Sequence, residues 1–97
     1  MVNIAWTEYA IDDLKSIHTY VSLDSKVYAD KLIDRLVSRV EQLKSFPDLG
    51  RIVPEFNKES LRELIEGRYR IVYKREESSI SIVRIHNANS LIFLPKI

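Results

Sequence analysis

Apolar residues recur at helical spacing over two long stretches of this chain, and then give way to the alternation of strands. Ala10, Ile11, Leu14, Ile17 and Val21 share one side of a helix predicted over about residues 7–22. Asp12, Asp13, Lys15 and Ser16 fill its other side. Thr7 suits the N-cap, and Glu8 suits the positive end of the helix dipole. After a break at residues 23–25, where Asp24 or Ser25 can cap, a second stripe begins. Ala29, Leu32, Ile33, Leu36, Val37, Val40 and Leu43 form it, with charged residues mostly on the far side. Phe46-Pro47 ends this helix, because proline biases the preceding residue away from helical backbone. Two helices with so short a link are expected to pack as an antiparallel hairpin.

Before the hairpin, Val2, Ile4 and Trp6 alternate with Asn3 and Ala5, as in a short strand. After it, Pro47-Asp48-Leu49-Gly50 reads as a turn, and residues 51–60 as an irregular loop. Three strand-like runs follow at Leu61–Glu66, Tyr69–Arg75 and residues 79–86, separated by short polar breaks. Ile71, Val72, Tyr73, Ile80, Ile82, Val83 and Ile85 supply the β-branched and aromatic content that strands favour. The expected fold is α+β: an N-terminal strand, an antiparallel helical hairpin, then a three-stranded antiparallel β-meander, with the helices on one face of the sheet. Trp6 and Tyr20 are expected to cover the core. One domain spans residues 1–97. Its tail, residues 86–97, ends in the apolar run Leu91, Ile92, Phe93 and Leu94, expected either to add an edge strand or to bind a partner.

Composition changes this picture little. The chain has 97 residues, 45% hydrophobic and 30% charged, which suits a folded domain rather than a disordered one. A formal net charge of +1 is too small for a global field to drive nucleic-acid binding. Between Arg51 and Arg75, seven basic side chains face four acidic ones, a mild local excess. There is no cysteine, so no disulfide or thiolate site exists. The N-terminus lacks the pattern of a secretory signal, and no stretch is apolar for long enough to span a bilayer as a helix. A cytoplasmic location without membrane contact is expected.

Most catalytic constellations are absent. Two histidines and no cysteine argue against a zinc site, and neither a glycine-rich phosphate loop nor a nucleophile elbow is present. No metal or cofactor is expected. What remains is a basic set on the predicted strands: Arg62, Arg68, Arg70, Arg84 and His86. Arginine binds phosphate or carboxylate through two parallel hydrogen bonds, and histidine can act as acid or base near neutral pH. Arg84 and His86 lie two apart and share a face. Ile80 and Ile82 have the same parity, so that face is expected to be partly core. Whether Arg70 joins it depends on register. A plainer reading makes Arg62 with Glu63, and Arg70 with Glu66, surface ion pairs, with His86 structural.

The order of motifs resembles the RelE/ParE toxin superfamily. Trp6-Thr-Glu-Tyr-Ala-Ile-Asp-Asp-Leu14 is similar to the opening of ParE-type toxins, and Phe46-Pro47-Asp-Leu-Gly50-Arg51-Ile-Val53-Pro-Glu55 to their turn after the hairpin. Leu61-Arg62-Glu63-Leu64, Tyr69-Arg70-Ile-Val-Tyr73 and Ile82-Val-Arg-Ile85-His86 resemble their sheet motifs. The resemblance implies the toxin of a type II toxin–antitoxin pair. It also implies a cognate antitoxin that wraps the toxin and alone contacts operator DNA.

The superfamily has two branches. One cleaves messenger RNA on the ribosome; the other poisons DNA gyrase. The nuclease branch places basic residues before and after its Tyr-Arg motif, with a tyrosine or histidine near the C-terminus. Here Arg70 matches the motif arginine, but Glu63 stands where a second basic group is expected. After His86 no basic residue appears before Lys96, and no tyrosine follows Tyr73. The long hairpin is more similar to the ParE branch, although Asn89 stands where many ParE-like chains carry arginine. The resemblance therefore points to a non-enzymatic gyrase inhibitor. The alternatives are a ribosome-dependent nuclease using Arg70, Arg84 and His86, and a degenerate toxin that only binds an antitoxin. Contacts with target or antitoxin are expected at Arg62, Arg68, Arg70, Arg84, His86, Leu91, Ile92 and Phe93.

Overall fold

A computed structural model describes residues 1–89, so the expectations placed on Leu91, Ile92 and Phe93 lie outside the described residues. Within them, β1 (Asn3–Trp6) leads into α1 (Glu8–Ser22) and α2 (Lys26–Glu41). A single 3-10 turn at Gln42–Lys44 extends α2. Then come β2 (Arg51–Ile52), β3 (Leu61–Glu66), β4 (Tyr69–Arg75) and β5 (Ser79–Asn87).

Both helices start where a hydroxyl can take a free N–H. Thr7 Oγ1 accepts from Ala10 N at 3.2 Å, and Ser25 Oγ accepts from Tyr28 N at 3.1 Å. Across the hairpin, His18 Nε2 and Asp30 Oδ1 lie 2.7 Å apart. The His18 contact, helped by Lys26, holds the Asp30 carboxyl below its ordinary range.

The helices share one face of a five-stranded sheet ordered β1-β5-β4-β3-β2. Leu32, Leu36 and Val40 of α2 meet Leu64, Ile71, Tyr73, Ile80, Ile82 and Ile85 there. Full burial of such a side chain stabilises by about 1.5–3 kcal/mol. Trp6 packs against this core as expected. Tyr20 does not: it is 75% exposed, on the rim of a groove between the helical hairpin and the β3–β4 turn.

The β3–β4–β5 meander is antiparallel as expected. The sheet has two further features. β1 joins β5 in parallel, since the helical hairpin carries the chain back across the sheet. Part of the expected loop, Arg51–Ile52, pairs with β3 as a short edge strand.

β1 pairs with β5 only from Ser79 to Ile82, and α1 covers the next stretch of that edge. Thr7 Oγ1 reaches the carbonyls of Ile82 at 2.8 Å and Val83 at 3.1 Å. The Asp13 carboxylate accepts the Ile85 N–H at 2.9 Å. Polar groups of a helix thus take the place of a neighbouring strand, and the edge is not left open.

Candidate functional site

An irregularity in β5 decides where the basic residues go. Tyr73 is paired with Ile82, but Val72 is paired with Arg84, so Val83 is an extra residue. Without it, Arg84 and His86 would share the core face with Ile80 and Ile82. The bulge instead puts Ile85 in the core and returns Arg84 and His86 to the opposite face. There the register aligns Arg51, Glu63, Val72 and Arg84 in one row across the sheet, and Ile65, Arg70 and His86 in the next. Arg70 and Arg84 therefore lie on the same face, two residues apart in register.

Arg70 is the hub of this face and is only 6% exposed. Its Nε donates to Glu63 at 2.6 Å, and its two terminal nitrogens donate to the Glu55 carboxylate at 2.8 Å each. Glu63, itself buried, also accepts from Arg51 Nε at 2.7 Å. Two guanidinium groups and two carboxylates thus alternate, and the buried charges are matched. Glu55 above all, and Glu63 with it, push the Arg70 guanidinium above its ordinary range, so it stays charged. The network also ties down the loop that carries Glu55, where Asn57 takes a φ of +49°.

Arg84 is held in the same manner. Its Nε and Nη2 donate to Asp13 at 2.8 and 3.0 Å, and that pairing raises its pKa. Arg62 lies on the core side, where Nη1 donates to Gly50 O at 3.0 Å and Nε stands 3.9 Å from Asp48. The surface pairs expected from sequence are replaced: Glu66 binds Arg35 and Arg39 of α2, leaving Arg70 to Glu55 and Glu63. His86 is half-buried and stands opposite Arg70. Among the described residues no carboxylate orients its ring, as a general base would need.

Arg68 differs from the other candidates. It sits in the β3–β4 turn beside Gly67, whose φ of +57° allows the tight reversal. Among the eight arginines it alone has no carboxylate within 4.0 Å in the described residues. It lines a groove with Tyr20, Tyr28 and Arg35, at the outer end of the hairpin.

Sequence reasoning missed the carboxylates that occupy the arginines: Asp13, Glu55 and Glu63. One signal was available, since Glu63 shares strand parity with the apolar Leu61, which is unusual for a solvated glutamate. It also missed Tyr73. That hydroxyl donates to Pro47 O and accepts from Gly50 N, both at 2.9 Å, and so pins the turn after α2. Burial pushes the Tyr73 phenol up from its ordinary range.

Comparison with known proteins agrees with this architecture. The sequence matches the family described as ParE toxin of type II toxin–antitoxin system, parDE, over residues 4–91. It is 32% identical to Toxin RelE2 of Caulobacter vibrioides, over 94% of this chain and 100% of that protein. The fold is similar to a solved chain from the chromosomal ParDE toxin–antitoxin system of P. aeruginosa. The TM-score is 0.75 and the identity 26%, over 92% of this chain and 98% of the other. The chain belongs to the ParE toxin family of type II toxin–antitoxin systems.

Proposed function

We propose that this toxin acts as a single domain in the cytoplasm. There it arrests growth by inhibiting DNA gyrase, without catalysing a reaction, until a cognate antitoxin neutralises it. The observation that carries this reading is the state of Arg70 and Arg84. Each is clasped by a carboxylate through two parallel hydrogen bonds, to Glu55 and to Asp13. A phosphodiester would have to displace an internal carboxylate before either guanidinium could stabilise its charge. Such a sheet face supports the fold better than it supports RNA cleavage. The similarity to a ParDE system supports the antitoxin as partner, with operator DNA reached only through it.

The test is purified toxin added to gyrase, with supercoiling and cleavage-complex formation followed together. Inhibition that is lost on adding the antitoxin agrees with the proposal. Unchanged gyrase activity at a large excess of toxin contradicts it.

A second reading, ribosome-dependent cleavage of messenger RNA, draws on His86 standing opposite Arg70 in register. It requires that the ribosome open the Arg70–Glu55 clasp. Cleavage of messenger RNA in purified ribosomes, lost in His86→Ala, would favour it.

A further inference from the structure

The two carboxylates on Arg70 differ in kind. Glu63 stands on β3 with its side chain wholly buried, and it is shared with Arg51. Glu55 stands on the turn after β2, and its side chain is 27% exposed. That turn keeps its shape by other bonds. Phe56 N and Asn57 N both donate to Val53 O, at 3.2 and 2.9 Å, and Val53 N donates to Leu61 O at 3.0 Å. Val53 itself is buried against Leu61 and Val72. Rotation of the Glu55 side chain therefore opens the clasp without unfolding the turn. Asp13 has no such freedom on Arg84, because it sits within α1 and also accepts the Ile85 N–H.

Charge and shape say what can replace Glu55. Arg51 and Arg70 set against Glu63 alone leave one positive charge, so one singly charged group restores the balance. The two terminal nitrogens of Arg70 each donate to one oxygen of Glu55 at 2.8 Å, so the fork takes a flat pair of oxygens. Arg70 is only 6% exposed, which favours a slim carboxylate over a phosphodiester with two bulky substituents.

We propose that Arg70 is a carboxylate-binding site, with Glu55 as its internal occupant. An acidic side chain of a partner protein takes the place of Glu55, which turns out to water, while Glu63 and Arg51 hold the guanidinium in position. Glu55 is a tethered competitor: it keeps the site closed to free anions and yields to a carboxylate held at high local concentration by a docked partner. The exchange is independent of which target the toxin attacks.

The test is chemical rescue of the full chain, with acetate and dimethyl phosphate as probes. Glu55→Ala empties the site. Glu59→Ala removes the same charge from the same loop, where Glu59 lines a different groove with Asp48 and Arg75. The readouts are the melting temperature and the NMR signal of the Arg70 Nε–H. In Glu55→Ala, acetate is expected to raise the melting temperature and to shift the Arg70 signal. Its apparent affinity should be at least about ten-fold higher than in the unaltered chain or in Glu59→Ala, since the tethered competitor is gone. If Glu55→Ala does not fold, Glu55→Gln keeps the side-chain shape without the charge and is read in the same way. Three results would overturn the proposal. One is an acetate response, or a lack of one, that is equal in all the chains. Another is a response to dimethyl phosphate without one to acetate, which would make this a phosphodiester site. The third is failure of both Glu55 variants to fold even in about 0.2 M acetate, which would leave Glu55 a purely structural role. Gyrase is not in the assay, so loss of the gyrase reading would not disturb the outcome.

Discussion

The guanidinium of Arg70 lies 2.6 Å from the carboxylate of Glu63, and both side chains are almost wholly withdrawn from water. Removing either partner strands a buried charge, and such a loss costs about 3–5 kcal/mol. Arg70→Ala is therefore expected to lower stability by that amount in urea unfolding, before any effect on a target is considered. Loss of toxicity in this variant follows from the fold. A variant with unchanged stability would show that the network is dispensable.

Asp13→Ala removes the acceptor of the Ile85 N–H and of the two bonds that Arg84 donates to this carboxylate. The edge of β5 then loses what replaces a strand. A loss of about 1–3 kcal/mol is expected, together with faster amide exchange at Ile85. Exchange at Ile85 no faster than in the unaltered chain would contradict the role given to α1 here.

Gly50→Ala tests the turn after the hairpin. A Cβ there would lie 2.6 Å from the Glu63 carbonyl oxygen and 2.7 Å from the Tyr73 ring and hydroxyl. Backbone stands on one side, and a buried ring on the other, so neither yields easily. Thermal unfolding is expected to show a destabilisation of about 1–3 kcal/mol. An unchanged midpoint would mean that the turn is not held against Tyr73.

Tyr73 also gives a pH dependence with a definite sign. Burial raises its folded pKa above the ordinary phenol value of 10.0. The unfolded chain therefore gives up this proton first as pH rises. The stabilisation is full below about pH 10 and falls as pH climbs from there through the higher folded value. Tyr73→Phe leaves the Gly50 N–H and the Pro47 carbonyl without this partner, which costs about 1–3 kcal/mol at neutral pH. The same variant should flatten the alkaline limb of the stability curve. An equally steep limb in the variant would assign that titration to another group.

Much of this fold is written in local pattern. The stripe from Ala29 to Leu43 fixes α2, since only a helix puts those residues on one side. Thr7 and Ser25 mark the helix starts, and the breaks at Gly67-Arg68 and residues 76–78 set the β3–β5 hairpins. Long-range facts were less legible. Parallel pairing of β1 with β5 depends on where the hairpin returns the chain, and two residues of β2 are too few to show alternation. The extra Val83 mattered most for the candidate site. A bulge reverses strand parity, so reading Arg84 and His86 with Ile80 and Ile82 put them on the wrong face. The partners of Arg70 were equally hidden: Glu55 and Glu63 lie 15 and 7 residues away in the chain, and only the folded sheet brings them together.

The proposed inhibition of gyrase implies that replication halts before translation. It is tested most directly by brief induction of the chain without antitoxin, with thymidine and methionine incorporation followed in the same culture. The expected result is that thymidine incorporation falls first while methionine incorporation continues. An earlier fall in methionine incorporation would contradict it and turn attention to Arg70 and His86 as parts of a nuclease.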